Sequence, residues 1–327
     1  MNPREITYLE GIRQGLQHVM RTRPETVLFG EDVGPFGGAF KLTLGFQAEF
    51  GAARVFDTPI SESAIIGVGI GMASQGLKPI VELQFADFGT TAVHQLLNNA
   101  GTVHFRTGVS LPMTVRAPCG GGFGGGPFHS EELEAMFCLM PGIKVVYPAF
   151  PSDARSLIVA SVMDPNPVVF LENKYLYRHI KEVVGEKIEP LPLGVARICR
   201  SGSDAVVLTY GAMVHEAMRA AERIEHEAGY TVMVVDMRTL KPYDADTVIS
   251  AVAATNRVLV VHEGWRTCGF GAELSALVAE QAFHLLDAPV RRLTAPDCPV
   301  PFAPELERAY RPNSDSIERA LIELIEY

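Results

Sequence analysis

The chain has 327 residues, of which 47% are hydrophobic and 20% are charged, and its formal net charge at pH 7 is −10. This balance is typical of a globular protein, and the negative charge argues against binding to nucleic acid or to an anionic membrane surface. No apolar run reaches the roughly 20 residues that span a bilayer, and residues 1–23 are amphipathic, with charge from Arg4 onward. We therefore expect neither a membrane segment nor a signal peptide, and a cytoplasmic protein.

In the first half of the chain, short runs rich in Val and Ile alternate with longer stretches of helical period. This alternation is typical of a parallel sheet with crossover helices. It predicts an opening helix over Thr7–Thr22 and a second helix from Glu62 to about Gln75, with Ser61 as its N-cap. The predicted strands are Val27–Gly30, Arg54–Asp57, Pro79–Phe85, Pro112–Arg116, Lys144–Tyr147 and Pro167–Leu171. The last four are almost continuously apolar, which favours burial on both faces.

Residues 174–192 are polar and charged, and we interpret them as part of a linker. Beyond them the alternation resumes, with predicted strands at Ala205–Tyr210, Thr231–Val235 and Arg257–Val261, and a terminal helix over about Asp315–Glu326. At 327 residues a single hydrophobic core usually splits in two. The sequence therefore predicts an α/β fold with two doubly wound domains, residues 1–178 and 201–327, joined by a linker over residues 179–200.

Two glycine-rich stretches invite a nucleotide-binding interpretation, which neither supports. Gly67 to Gly71 lacks the spacing of a dinucleotide fingerprint and lies inside a predicted helix, so close helix packing is favoured. Gly120 to Gly126 contains no Gly-Lys-Ser/Thr and is not a phosphate-binding P-loop. It is either a surface connection or a backbone that passes close to a ligand.

The segment Asp57-Thr58-Pro59-Ile60-Ser61-Glu62 leads from a predicted strand into the first turn of a predicted helix. Taken alone, Glu62 could simply complement the helix dipole, which is worth under about 1 kcal/mol at a surface. The segment also resembles the Asp-Thr-Pro-Ile-Ser-Glu signature of 2-oxo acid dehydrogenase β subunits. Further matching blocks follow in the family's order: 28–33, 82–88, 129–130, 141–146, 166–172, 176–178 and 236–242.

This resemblance implies a transketolase-like pyrimidine-binding domain followed by a transketolase C-terminal-like domain, with thiamine diphosphate as cofactor. Glu62 matches the glutamate that exchanges a proton or hydrogen bond with the aminopyrimidine ring, which makes it both catalytic and cofactor-binding. Phe88 matches the aromatic residue that stacks on that ring, although ordinary core packing is its alternative role. The implied reaction is oxidative decarboxylation of pyruvate or a branched-chain 2-oxo acid, with reductive acylation of lipoyl-lysine.

The resemblance assigns His129 to the catalytic histidine that faces the substrate and assists acyl transfer. A purely structural histidine is the alternative. Ser130 is predicted to cap a helix over Glu131–Leu139 as well as to line the site. Glu131 stands where relatives commonly carry Gln, Asn or Asp, so the local polarity differs from theirs.

The sequence contains no Gly-Asp-Gly, the motif with which such enzymes hold the diphosphate and its Mg²⁺. The resemblance therefore implies an α subunit that supplies this half, in an α₂β₂ heterotetramer that docks on a lipoyl-bearing dihydrolipoamide acyltransferase core. Asp164 and Asn166 lie where some relatives bind K⁺ through main-chain oxygens, but they could equally be turn residues. An acetoin dehydrogenase β subunit and a non-catalytic scaffold of the same fold are the alternative functions.

Overall fold

The computed structural model describes residues 3–327, which divide into two compact units. The first comprises the chain up to Cys119 together with Met136–Val146 and Phe150–Leu193. The second comprises Gly120–Ala135, Tyr147–Ala149 and Gly194–Tyr327. Residues 120–135 thus belong with the C-terminal half of the chain, which differs from the sequence-based boundaries.

Helices and strands alternate along the chain. The helices are α1 (Tyr8–Thr22), α2 (Phe46–Phe50), α3 (Glu62–Ser74), α4 (Gly101–Thr107), α5 (Glu134–Leu139), α6 (Pro151–Met163), α7 (Leu176–His179), α8 (Met213–Ala228), α9 (Ala245–Thr255), α10 (Phe270–Gln281), α11 (Pro304–Tyr310) and α12 (Ser314–Ile325). The strands are β1 (Arg4–Thr7), β2 (Thr26–Gly30), β3 (Val55–Asp57), β4 (Lys78–Glu82), β5 (Thr114–Cys119), β6 (Lys144–Val146), β7 (Val168–Asn173), β8 (Lys181–Val184), β9 (Arg197–Arg200), β10 (Ala205–Thr209), β11 (Val232–Asp236), β12 (Thr239–Lys241), β13 (Val258–Trp265) and β14 (Arg291–Ala295). Within residues 3–327 no helix combines the length and apolar character needed to cross a bilayer.

In the first unit, parallel strands are hydrogen-bonded in the order β6-β7-β5-β4-β2-β3. Every residue of β2, β5 and β7 is buried, as expected for strands covered on both faces. In the second unit, β14, β13, β10 and β11 are parallel and β9 closes the sheet antiparallel to β11. The predicted α/β fold class is confirmed.

Helix α6 was not predicted from the sequence. Most of its residues are buried, so it lacks the polar face from which an amphipathic helix is recognised. It packs so closely on α1 that a side chain would not fit at two glycines of α1. A Cβ at Gly11 would lie 2.5 Å from the main-chain oxygen of Pro151, and one at Gly15 would lie 2.6 Å from that of Arg155. These two glycines therefore permit the contact.

The polar segment after Lys174 is not wholly irregular. Its residues Lys181–Val184 form β8, which pairs antiparallel with β1. Strand pairing rests on main-chain hydrogen bonds, so a short edge strand needs little apolar sequence. The polar and charged composition that we interpreted as a linker therefore reflects exposure to solvent and not a lack of regular structure.

Candidate active site

The loops that carry Glu62 and Phe88 leave neighbouring strands at the carboxyl edge of the first unit's sheet. At this edge Gly30, the last residue of β2, pairs with Asp57 at the end of β3 and with Glu82 at the end of β4. Glu62 opens α3 after β3, and Phe88 lies in the 3₁₀ segment after β4. Parallel α/β sheets bind ligands outside this edge, so the register places both loops in a favourable position.

Thr91 connects the two predicted cofactor-binding residues. Its Oγ1 lies 3.1 Å from Glu62 Oε2 and 2.8 Å from the main-chain oxygen of Phe88. Glu62 is half-buried, so one carboxylate oxygen is held by protein while the group stays accessible. Ser61 occupies the predicted N-cap position of the helix, but its side chain makes no capping hydrogen bond. The carboxylate of Glu62 itself is the acidic group of the first turn.

Aromatic contacts support the ring of Phe88. It packs edge-to-face on Phe85, with ring centroids 5.6 Å apart, and Phe85 packs edge-to-face on Phe40 at 5.7 Å. Phe85 and Phe88 are both half-buried. Edge-to-face pairs are a preferred aromatic geometry, so these contacts define the orientation of a ring that is not fully enclosed.

A second carboxyl group, that of Glu31, follows β2 at the same edge and is buried. Burial, together with the neighbouring charges of Glu62 and Asp32, raises the pKa of Glu31 above its ordinary value. The edge therefore combines an accessible carboxyl at Glu62 with a buried one at Glu31, whose pKa is above its ordinary value. No role for Glu31 was predicted from the sequence, although its position directly after a buried strand is a recognisable signal.

The strands next to this edge contain a buried ionic network around Arg116 of β5. Arg116 donates from Nε and Nη2 to Glu172 at 2.7 and 2.8 Å, and its Nη1 contacts Glu82. Tyr177 donates to Glu172 at 2.5 Å. Burial alone would lower the pKa of Arg116, but Glu172 and Glu82 raise it above its usual value. The guanidinium therefore stays charged and compensates the two carboxylates.

His129 belongs to the second unit, where it is half-buried after the 3₁₀ turn Gly126–Phe128. Its N–H donates to the main-chain oxygen of Gly126 at 3.3 Å. Ser130 is buried, and among residues 3–327 its hydroxyl has no hydrogen-bond partner. Helix α5 begins only at Glu134, because the oxygen of Glu131 accepts the N–H of Gly120 at 3.3 Å and keeps this stretch in a loop. The predicted helix is therefore confirmed over Glu134–Leu139, but its predicted start at Glu131 and the Ser130 cap are wrong.

The glycine-rich loop Gly120–Gly126 is closed around carboxylates of its own unit. The N–H of Gly121 donates to Glu263 Oε1 at 2.7 Å. Glu307 accepts from the N–H groups of Gly122 and Gly124 at 2.7 and 3.1 Å. The amides of these three glycines are therefore bound to protein acceptors, and the two roles left open for the loop stay predictions.

A buried polar cluster in the second unit was missed by sequence analysis. Tyr210 donates to Glu134 at 2.8 Å, and the ring of Tyr210 stacks on that of His262. Burial raises the pKa of Glu134 to about 7 and lowers the pKa of His262 to about 3. His262 therefore stays uncharged near neutral pH, whereas Glu134 is partly protonated there; His262 Nδ1 lies 3.7 Å from Glu134. The adjacent Glu263 has different partners, as expected for neighbours on a strand.

Asp164 and Asn166 lie between α6 and β7. The carboxylate of Asp164 is 2.5 Å from Lys144 Nζ and accepts the N–H of Asn166 at 2.9 Å. The second contact is the turn arrangement that the sequence also allowed. Within the described residues no group of three or more His, Cys, Asp or Glu side chains could hold a metal ion. The K⁺ site through main-chain oxygens stays a prediction.

Of the predicted catalytic and cofactor-binding residues, Glu62 and Phe88 are connected through Thr91 in the first unit. His129 lies in the second unit, at the end of the glycine-rich loop. The catalytic and cofactor-binding roles that the resemblance implies for these residues stay predictions.

Comparison with protein families matches residues 4–180 to the transketolase pyrimidine-binding domain and residues 194–317 to the transketolase C-terminal domain. The chain is 43% identical to the 2-oxoisovalerate dehydrogenase subunit beta of Bacillus subtilis (strain 168), over 98% of this chain and 99% of that protein. It is 38% identical to the pyruvate dehydrogenase E1 component subunit beta of Staphylococcus aureus (strain N315), over 99% of each.

Among solved structures, a split-gene transketolase described as an inactive beta4 tetramer superposes with a TM-score of 0.80. The alignment covers 98% of both chains at 22% sequence identity. At this identity the likeness shows the fold alone.

Proposed function

Because the chain belongs to the family of 2-oxo acid dehydrogenase β subunits, we propose that it is the β half of a thiamine-diphosphate-dependent enzyme. The proposed reaction is oxidative decarboxylation of pyruvate or a branched-chain 2-oxo acid, followed by reductive acylation of lipoyl-lysine. The observation that carries this proposal is the Glu62–Thr91–Phe88 arrangement at the carboxyl edge of a parallel sheet. The relatives that share the fold match nearly the whole chain.

The residues at this edge fit an aminopyrimidine ring. Glu62 offers an accessible carboxylate, and the hydrogen bond from Thr91 holds one of its two oxygens. Phe88 offers a supported aromatic ring for stacking. In the proposed mechanism Glu62 shares a proton with a ring nitrogen, donating it when the nitrogen is unprotonated and accepting it when the nitrogen is protonated, and Phe88 orients the ring face. The cofactor, when bound, supplies the carbanion chemistry of decarboxylation, while this chain orients the ring and holds the proton.

We assign acyl transfer to His129. An imidazole has an unperturbed pKa near 6.5, so it can give and take protons at physiological pH. Such a group is needed when the lipoyl dithiolane opens, because one sulfur must be protonated as the other receives the acyl group. His129 would serve as that general acid, which is a role distinct from activation of the cofactor by Glu62.

The proposal includes a separate α subunit. This chain lacks the Gly-Asp-Gly motif that would hold the diphosphate with Mg²⁺, so the α subunit would provide both, in an α₂β₂ heterotetramer. The same assembly would dock on a lipoyl-bearing acyltransferase core. A K⁺ ion bound by main-chain oxygens near Asp164 and Asn166 belongs to the proposal as well.

The isolated chain is expected to bind thiamine diphosphate weakly and to show no decarboxylase activity, because the groups that neutralise the diphosphate are missing. Isothermal titration calorimetry with Mg²⁺ checks this on the pure chain, with the αβ assembly as positive control. Tight, magnesium-dependent binding by the pure chain would contradict the need for an α subunit.

Replacing His129 with alanine is expected to lower lipoamide acylation about 100-fold, within the usual range of a lost general acid. Decarboxylation measured with an artificial electron acceptor should fall much less, because that half-reaction does not protonate a sulfur. Both assays use the same αβ preparation after cofactor occupancy has been checked. His284→Ala, at an exposed histidine of the second unit, is the matched control. Equal losses in the two assays would show that His129 mainly positions substrate.

A further inference from the structure

The glycine-rich loop Gly120–Gly126 has the backbone form of an anion-binding nest. Alternate residues Gly120, Gly122, Gly124 and Gly126 have φ of 80°, 91°, 76° and 65°. In such alternation successive N–H groups point into one concavity that attracts an anion. Glycine adopts this conformation more readily than any other residue, which explains the glycines at these four positions.

The anions bound by this nest are two carboxylates of the same unit. Glu307 of α11 binds the N–H groups of Gly122 and Gly124, and Glu263 of β13 binds that of Gly121. Both glutamates are buried. Glu263 is also paired with Arg311 at 2.7 Å, whereas Glu307 accepts two of the loop amides. Hydrogen bonds from N–H groups to a carboxylate are stronger than those to a neutral acceptor.

His129 follows the glycine nest by three residues and is hydrogen-bonded to its last glycine. A Cβ at Gly126 would lie 2.2 Å from the ring of Phe302, so the loop is packed tightly at that end. The oxygen of Gly126 then accepts the N–H of His129 at 3.3 Å. The bond between the N–H of Gly120 and the oxygen of Glu131 closes the loop on the far side of His129. The position of His129 thus depends on a loop held by Glu307.

We propose that Glu307 is a positioning residue for acyl transfer, which acts by holding the glycine nest and through it His129. This inference rests on the proposed function of His129. Glu307 belongs to the C-terminal part of the chain and needs no contact with substrate for this role. Its buried carboxylate orders a loop that would otherwise be among the most flexible in the sequence.

The test compares Glu307→Gln with Glu305→Gln in the αβ assembly. Glutamine keeps the size of the side chain but replaces one acceptor oxygen with an NH₂ group, which cannot accept the second glycine N–H. Glu305 is an exposed glutamate on the same helix and is the matched control. Hydrogen–deuterium exchange of a peptide spanning residues 120–130 reports the loop directly, without reference to activity. Circular dichroism confirms that each variant is folded.

For Glu307→Gln we expect faster exchange in the 120–130 peptide and a loss of about 10-fold or more in lipoamide acylation, because small misplacements of a catalytic group are costly. Decarboxylation with an artificial acceptor should stay within about 3-fold, as it does not use the acid that the loop positions. Glu305→Gln should resemble the wild type in all three measurements. In a His129→Ala background Glu307→Gln should add little further loss, since coupled residues are not additive.

Unchanged exchange in the 120–130 peptide would overturn the role of Glu307 in holding the loop. Faster exchange without loss of acylation, while His129→Ala still impairs acylation, would overturn the positioning role and leave the function of His129 intact. If His129→Ala impaired neither assay, the proposed function of His129 would itself fail, and that result is distinct from the first two. Additive losses in the double variant would also contradict the proposal.

Discussion

Glu62→Gln is expected to lower the turnover of the assembled enzyme by at least about 100-fold, the lower end of a typical acid–base contribution. Glutamine keeps the shape of the side chain and can still contact Thr91, which lies 3.1 Å from Glu62 Oε2. It cannot receive a proton from the cofactor ring. Turnover is measured on the αβ assembly with the cofactor saturating and its occupancy determined separately.

The same variant distinguishes catalysis from the structural role of an acid in the first turn of a helix. If Glu62 only complemented the dipole of α3, its replacement would change stability by under about 1 kcal/mol and leave turnover almost unchanged. Glu273→Gln, at an exposed acid in the first turn of α10, is the control for that effect. Turnover of Glu62→Gln within a few-fold of the wild type would refute its assignment.

Arg116→Met is expected to destabilise the chain by about 3–5 kcal/mol, because removing one partner of a buried ionic network leaves uncompensated charge. The wild-type guanidinium is 1% exposed and contacts the carboxylates of both Glu82 and Glu172. Without it, two buried carboxylates face each other. Urea unfolding followed by circular dichroism measures the change, since the single tryptophan, Trp265, lies in the second unit and would not report on the first.

The pH dependence of this variant tests the electrostatic cause. Loss of Arg116 should raise further the folded-state pKa of Glu82, which burial already raises, so the folded variant holds a proton that the unfolded chain releases above about pH 4.5. The deficit in stability should therefore shrink as the pH falls from 7 towards 5. Arg116→Met combined with Glu82→Gln and Glu172→Gln should recover part of the loss. A deficit below about 1 kcal/mol, or one independent of pH, would contradict this account.

Local patterns predicted much of the secondary structure of the first unit. Helix α1 begins as expected after Thr7, whose hydroxyl and N–H form a capping box with Glu10. The buried strands were recognisable from their Val- and Ile-rich runs. Helix α6 was missed because burial on almost all sides removes the polar face on which periodicity depends.

The candidate site was predictable where its residues lie in recognisable blocks, and unpredictable where partners come from distant parts of the chain. Glu62 and Phe88 were singled out by motif, but Thr91, which connects them, was not. The acceptors of the glycine loop lie more than a hundred residues away, at Glu263 and Glu307. No local pattern records such a contact, because it is made by the tertiary fold.

The hydroxyl of Thr91 has one hydrogen and two neighbouring acceptors, Glu62 Oε2 and the main-chain oxygen of Phe88. It also has lone pairs of its own. When Glu62 is ionised, the hydroxyl can donate to it; when Glu62 carries a proton, the hydroxyl can turn to Phe88 and accept from the carboxyl. A rotation about a single bond therefore keeps the pair hydrogen-bonded in both charge states. If Glu62 takes up and releases a proton as proposed, the surrounding residues need not rearrange between the two charge states.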